Sequence, residues 1–367
     1  MRTEFASFPI SKGSGNLWSC AGVGVKQSGN RLFQLNNLKR EIVDELFLDL
    51  LSSFSVPLKR RQHMMKIDIF AHILLPDFYE KMLMLDRDLP AKMPFIQNPV
   101  LTDMEKRRAT MPKNNKQIIS YVNANPEDYM AGKMAALLVQ KANEELLTAV
   151  RDNSDIFAGA VAMVAMNNIP AAVRTIEDFV LPNKEVLGIQ LFTRHLGKSL
   201  ADPDFRPIFE AAAKHNVPIW LHPVFDPRKP DNNIIFSWEY EQTQAMLEIV
   251  QAGYFQDFPN LKIIIHHAGA MAPYFAGRID RILTAEQAAD FRKFYVDTAL
   301  LGNSKALELC VDFFGVDRVL FGTDAPLGIL PAGATDIIEE AIEALPLTQS
   351  QKDQIFYGNA KRLFGGL

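Results

Sequence analysis

The 367-residue chain predicts an α/β fold, a TIM-type (β/α)8 barrel with an insertion after its first strand and an N-terminal extension. Three observations predict it. Eight apolar runs of strand length follow Met65, the number a closed parallel barrel needs. Helical patterns separate most of these runs, as βα units require. Several runs end on groups that can bind a metal or carry a proton: Trp220-Leu221-His222, Ile265-His266-His267 and Gly322-Thr323-Asp324. In a closed barrel the strand C-termini meet at one face, where the loops build the active site.

The elements follow in order. The first strand is expected over residues 66–70. The segment 76–112 behind it is rich in Met, Pro and charge and too long for a plain loop, so it reads as a lid or small insertion. Strands over 117–122, 157–164 and 187–192 come next, with helical patterns over 130–150 and 169–179 between them. A helix over 207–215 leads into a strand over 217–221, an apolar β-branched run of the kind found in fully buried parallel strands. Pro223, Pro227 and Pro230 with Asn232-Asn233 give the stretch 223–237 a loop composition. Both insertions are expected to overhang the same face. Helices over 239–251, 285–293 and 304–314 then precede strands over 261–266, 294–297 and 318–321, and 348–364 reads as a closing helix.

With 48% hydrophobic residues the chain can bury a large core, and one big barrel is a simpler reading than two domains. A net charge of -4 and a pI near 6.0 provide no basic face for nucleic acid. Cys20 and Cys310 stand far apart, which argues against a disulfide framework or thiolate zinc site and fits a reducing cytoplasm. No apolar run reaches the ~18 residues of a membrane span, and no apolar leader is visible, so a cytoplasmic protein is expected. Residues 1–40 are poor in acids and carry Arg2, Lys12, Lys26 and Arg31, a composition faintly like a transit peptide; without an amphipathic Arg-rich helix the plainer reading is a disordered appendage. Residues 38–54 read as an amphipathic helix with Ile42, Leu46, Leu50 and Leu51 on one stripe. Met64-Met65 precedes the first strand, so the extension is placed at 1–64 and the barrel at 65–367.

Two imidazoles and a carboxylate are a known ligand type for a divalent metal that keeps positions open for water or substrate. Strand neighbours face opposite sides, so one of His266 and His267 is expected in the pocket and the other packed outside or hydrogen-bonded. Asp68 shares the face of Phe70 by alternation and is expected near the barrel floor. His63, His195 and His215 read as structural.

The motifs Lys66-Ile67-Asp68-Ile69-Phe70-Ala71-His72 with Pro76, Gly188-Ile189-Gln190, Leu221-His222-Pro223, His267-Ala268-Gly269 with Pro273 and Gly277-Arg278-Ile279, Arg318 to Pro326, and Asn359 to Phe364 occur in this order. Taken together they resemble the amidohydrolase-related superfamily, in the branch that includes aminocarboxymuconate-semialdehyde decarboxylase and γ-resorcylate decarboxylase, from Lys66 to the C-terminus. The resemblance implies a metal bound by a His-x-His pair after strand one, a His after strand five and an Asp after strand eight. His72, His222 and Asp324 fall on three of those positions. Phe70 falls on the fourth, where the family usually has His and sometimes Glu; an aromatic ring cannot ligate such an ion, and Phe70 is expected to pack a substrate ring instead. Zinc is the expected metal with manganese as second choice, and no organic cofactor is implied.

His267, six residues before Pro273, matches the family's non-ligand histidine and is expected to act as general acid or base, with His266 as the alternative. Asp324 is expected to serve as ligand and as proton acceptor. The competing reading of Asp324 as a helix-capping acid is disfavoured by Pro326. Arg278 and Arg194 are candidates for gripping a substrate carboxylate, against a surface ion pair for each. In some relatives the arginine of the Gly-Arg-Ile motif reaches a neighbour's pocket, which implies a homodimer. The expected activity is decarboxylation of a small aromatic or unsaturated acid. The alternatives are hydrolysis of a small ester, lactone or amide, or a barrel that has lost metal and catalysis.

Overall fold

The computed structural model describes residues 65–365 apart from Leu196, Pro227 and Asn232. The expected N-terminal extension, its helix over 38–54 and the boundary at 64 lie outside the described residues. β1 (Lys66–Ile73), β2 (Asn115–Tyr121), β3 (Phe157–Met163) and β4 (Val186–Phe192) are followed by a small hairpin, β5 (Arg194–His195) with β6 (Lys198–Ser199). β7 (Ile219–His222), β8 (Ile263–Ile265) and β9 (Tyr295–Val296) complete a 7-stranded sheet in the order β1-β2-β3-β4-β7-β8-β9, every pair parallel.

The eighth expected strand, 318–321, is not a regular strand. Val316–Arg318 is a 3-10 turn, and the β-bridges of the chain beyond it are the isolated pairs Val296↔Val319 and Ala71↔Ala325. The ring nevertheless closes: Leu320 N donates to Val296 O at 2.8 Å, Ile69 N to Phe321 O at 2.8 Å, Asp324 N to Phe70 O at 2.8 Å and His72 N to Ala325 O at 2.7 Å. Side chains take the backbone groups that a continuous ladder would use. The Thr298 hydroxyl accepts from Gly322 N at 3.1 Å and donates to Gly322 O at 2.9 Å, and Asp68 Oδ1 accepts from Thr323 N at 3.0 Å. Backbone groups paired in this way are satisfied without a strand.

Ile67, Ile118, Val161, Trp220, Ile264 and Leu320, drawn from six segments of the ring, form one buried cluster. Trp220 anchors it, donating its indole N–H to Ile69 O at 2.9 Å and stacking on Phe364 at 5.2 Å. The neighbouring strand can approach because position 188 is glycine: a Cβ there would lie 2.3 Å from Pro218 O and 2.6 Å from the Trp220 ring. Separate apolar clusters pack the helices against the other face of the sheet.

The helices follow the sequence pattern, with Gly132–Asp152, Arg206–Lys214, Ser237–Gln251, Ala285–Phe291 and Ser304–Phe314 each close to its expected place. Two expected helices are broken. That over 169–179 is an α-helix at Ile169–Arg174 and a wider π turn at Thr175–Val180, and the closing helix divides into Gln349–Asp353, a π turn at Gln354–Gly358 and Asn359–Phe364. The insertion after β1 folds into short helices, among them Pro76–Leu85 and Met104–Thr110. Buried Arg107 ties it to the barrel, donating to Gln117 Oε1 at 3.0 Å and to His72 O at 2.8 Å. The loop before Ser237 is held by the wholly buried Asn233, which bonds both the N–H and the C=O of Asp226 at 3.1 and 2.9 Å. Among the described residues no helix is long and apolar enough to cross a membrane.

Candidate active site

The C-terminal ends of β1, β7 and β8 and the segment after Thr323 bring four imidazoles, one phenyl ring and one carboxylate together. His72 Nε2 lies 3.1 Å from Asp324 Oδ1 and 3.3 Å from His222 Nε2. His222 donates its Nδ1–H to Pro223 O at 2.8 Å, which leaves Nε2 as a lone pair. Burial, with His72, His266 and His267 nearby, holds the His222 pKa well below the ordinary value, so the ring is neutral. Asp324 takes up its place on a left-handed backbone, φ 62°. No helix begins until Thr335, so the capping reading of this carboxylate fails.

Phe70 sits among the imidazoles rather than in the open pocket. It is 1% exposed and stacks flat on His266, with ring centroids 3.5 Å apart and planes 16° apart. His72 presents an edge to it at 4.8 Å, and His222 lies 5.8 Å away. A register shift between Asp68 and Ala71 interrupts the regular pairing of β1 at this point. Asp68 is wholly buried, as expected; burial raises its pKa to about 7, and the carboxyl is tied to the Thr323 hydroxyl at 2.6 Å.

His266 and His267 divide the roles differently from simple alternation, because both rings turn inwards. His266 is buried behind Phe70, its Nδ1 paired with Asp297 Oδ2 at 2.8 Å and its Nε2 without a hydrogen-bond partner among the described residues. Burial holds the His266 pKa well below its ordinary value and raises that of Asp297 to about 6. His267 lies on a tight turn with φ 54°, its Nδ1 2.7 Å from Glu239 Oε1. Burial pulls its pKa down, but the Glu239 carboxylate, with Asp324 and Asp297 behind it, outweighs that penalty and raises it to about 10.

His267, Glu239 and Asp324 line a cavity of about 580 Å³. Phe95 from the first insertion and Ile234, Ile235 and Phe236 from the second overhang it, as the sequence predicts. Three expected substrate contacts are not part of its wall. Phe70 is turned into the barrel by its stack on His266. Arg194 is engaged by Glu241 at 3.5 Å and Asp226 at 3.7 Å, and Arg278 is exposed on the helix Ala276–Ile282. Conversely, sequence reasoning passed over Glu239, whose place in the first turn of a helix reads as an ordinary dipole-favoured acid. His195 stays structural, 3.5 Å from buried Glu127, its pKa lowered to about 4 by burial.

The donor set can be tested against a divalent ion. Two ligand atoms on a tetrahedral ion with bonds near 2.0–2.1 Å stand about 3.3 Å apart, and the His72–His222 and His72–Asp324 separations match that edge. Lone-pair nitrogens so close need a cation or a proton between them. Phe70 supplies no fourth donor, and among the described residues no group of three or more His, Cys, Asp and Glu side chains is placed to hold a metal ion. The fit is confined to two ligand pairs that share His72, one with His222 and one with Asp324.

Comparison with known proteins agrees with this architecture. The 6-methylsalicylic acid decarboxylase of Penicillium expansum is 28% identical over 322 residues, 82% of this chain and 96% of that protein. The 2-amino-3-carboxymuconate-6-semialdehyde decarboxylase of Dictyostelium discoideum is 29% identical over 259 residues, 65% of this chain and 69% of that one. Among solved structures, a 5-carboxyvanillate decarboxylase from Novosphingobium aromaticivorans with bound manganese and 3-methoxy-4-hydroxy-5-nitrobenzoic acid has a TM-score of 0.71 at 22% identity, covering 83% of this chain and 97% of that one. These relatives are decarboxylases of the superfamily branch that the motifs indicate. A family profile described as Amidohydrolase matches residues 67–366, from the first strand through the closing helix, and the chain belongs to that family.

Proposed function

We propose that this protein removes CO2 from a small aromatic carboxylic acid without oxidation, with His267 as proton donor. The observation that carries the reading is the 2.7 Å contact of His267 Nδ1 with Glu239 Oε1 in a largely apolar cavity. Because Glu239 holds Nδ1, the Nε2–H is the donor left for a substrate, and the ring stays charged at neutral pH. His267 gives its proton to the ring carbon that bears the carboxylate. The bond to the carboxylate then breaks, its electron pair returns to the ring, and CO2 leaves; solvent restores the proton to His267. The apolar walls keep water from the charged ring while this happens. Curated relatives named for the same chemistry on 6-methylsalicylic acid and on an unsaturated acid support the reading.

His72, His222 and Asp324 are the residues that would hold a divalent ion, whose Lewis acidity would steady the acid's oxygens. Two imidazoles and one carboxylate with no fourth protein donor suit zinc, which accepts three protein ligands; manganese, carried by the solved relative, is the other choice. The test is CO2 release from a panel of hydroxybenzoates. Turnover of at least one, abolished in His267→Asn, is the expected result. Hydrolysis of esters or lactones with no CO2 release from any acid overturns the reading in favour of a hydrolase.

A further inference from the structure

We infer that the substrate carries an apolar tail beyond its aromatic ring, an alkyl-substituted hydroxybenzoate with one carboxylate. The inference rests on the decarboxylase reading above and goes on to the shape of the molecule. His267, Glu239 and Asp324 line the cavity together, with His267 Nδ1 2.7 Å from Glu239 Oε1. Cavities of about 300–1,000 Å³ enclose drug-sized ligands, and this one measures about 580 Å³.

Most of the rest of the wall is apolar, Tyr274 and Trp238 being the other side chains there with a polar atom. Ile234, Ile235, Phe236, Leu301, Leu327 and Leu330 line it, drawn from three separate loops. Of these Ile235, Phe236 and Leu330 are 62%, 70% and 60% exposed, unusually open for side chains of their size. They line the same cavity as His267, so an apolar group attached to a substrate held there would cover them. A second carboxylate is disfavoured there: no Lys or Arg lines the cavity among the described residues, while Glu239 and Asp324 both do. A buried anion without a cationic partner is costly.

The inference is tested by binding and by turnover in parallel. Resorcinols with a methyl, propyl or pentyl substituent lack the carboxylate and cannot react; their dissociation constants are measured by calorimetry on the full chain. Hydroxybenzoates with the same substituents are assayed for CO2 release. Each buried methylene tightens binding about fourfold at most, so the pentyl compound is expected to bind at least tenfold tighter than the methyl one and to show a correspondingly higher kcat/KM. Ile235→Ser, a change at an exposed position, should reduce the ratio of pentyl to methyl kcat/KM several-fold. Binding and kcat/KM independent of chain length, or a dicarboxylate preferred over the pentyl acid, overturns the inference even if CO2 is released. Chain-length-dependent binding without CO2 release from any acid leaves the tail pocket standing and removes the decarboxylase reading.

Discussion

His267 Nδ1 lies 2.7 Å from Glu239 Oε1, which couples the turn after β8 to the first turn of the helix Ser237–Gln251 across 28 residues of sequence. An imidazole buried alone would lose its proton, and this carboxylate reverses the sign of the shift. The raised pKa means that the charged form, and the stabilisation it brings, is fully present below the ordinary value near 6.5 and is lost as the pH rises through about 10.

Glu239→Gln should therefore bring the alkaline limb of kcat down from near pH 10 towards or below neutrality. At pH 8 the loss should be on the order of a hundredfold, the low end of what general acid catalysis supplies. The pH–rate profile checks it, and an alkaline limb that stays in place would show that His267 is not the proton donor.

His222→Ala removes one of the two nitrogens that face each other at 3.3 Å. Elemental analysis of purified protein should find metal falling from about one equivalent per chain to a small fraction of that, since a site with two remaining ligands binds weakly. Metal content unchanged in this variant would place the ion elsewhere.

Phe70→His should return a donor to the position where the phenyl ring now stacks on His266. Competition with a chelator should show metal affinity raised on the order of tenfold or more, because each added imidazole suits zinc and its neighbours. Phe70→Ala has the opposite consequence for the fold. Truncating a fully buried phenyl ring should cost about 3–5 kcal/mol, read from urea denaturation.

Arg107→Ala should destabilise by roughly 1.5–3 kcal/mol for each hydrogen bond lost, the range for bonds from a charged group to buried acceptors. Its guanidinium is the link between the insertion helix Met104–Thr110, Gln117 on β2 and the carbonyl of His72. Limited proteolysis should find new cleavage within residues 76–112 if that link is lost.

Asp68 makes stability depend on pH in a particular sense. Its folded pKa is raised from 3.8 to about 7, so its contribution is complete below pH 3.8 and is lost as the pH rises through 7. Asp68→Asn should flatten the stability profile across that window, where one such group contributes a slope of at most about 1.4 kcal/mol per pH unit. Denaturation midpoints between pH 4 and 8 check it.

Much of this architecture was legible before any coordinates. Apolar β-branched runs such as residues 217–221 and 261–265 mark strands because every side chain in them is buried, and the polar residues that close them lie at one face because parallel strands share a direction. The strand ends point to His222, the His266-His267 pair and Asp324; His72, and His267 rather than His266, are implied by the resemblance to the amidohydrolase-related motifs. Sequence reasoning did not reach Glu239, whose helical context offers a complete local explanation, nor the burial of Phe70. For Arg194 the sequence left a substrate contact and an ion pair both open, and the structure shows its charge facing Glu241 and Asp226.

By itself the sequence determined that this protein is a barrel, where seven of its strands and most of its helices lie, and which groups able to carry a proton or bind a metal stand at the strand ends. These are consequences of local periodicity and chain direction. Only the tertiary structure decided which pairs of side chains meet: Glu239 with His267, Phe70 with His266, and Asp68 with Thr323 in place of an eighth regular strand. It also decided that the cavity wall is mostly apolar and carries no described Arg or Lys. The physical reason is that hydrogen bonds, ring stacking and cavity shape depend on distances of a few ångströms between residues remote in the chain, and no local pattern encodes those distances.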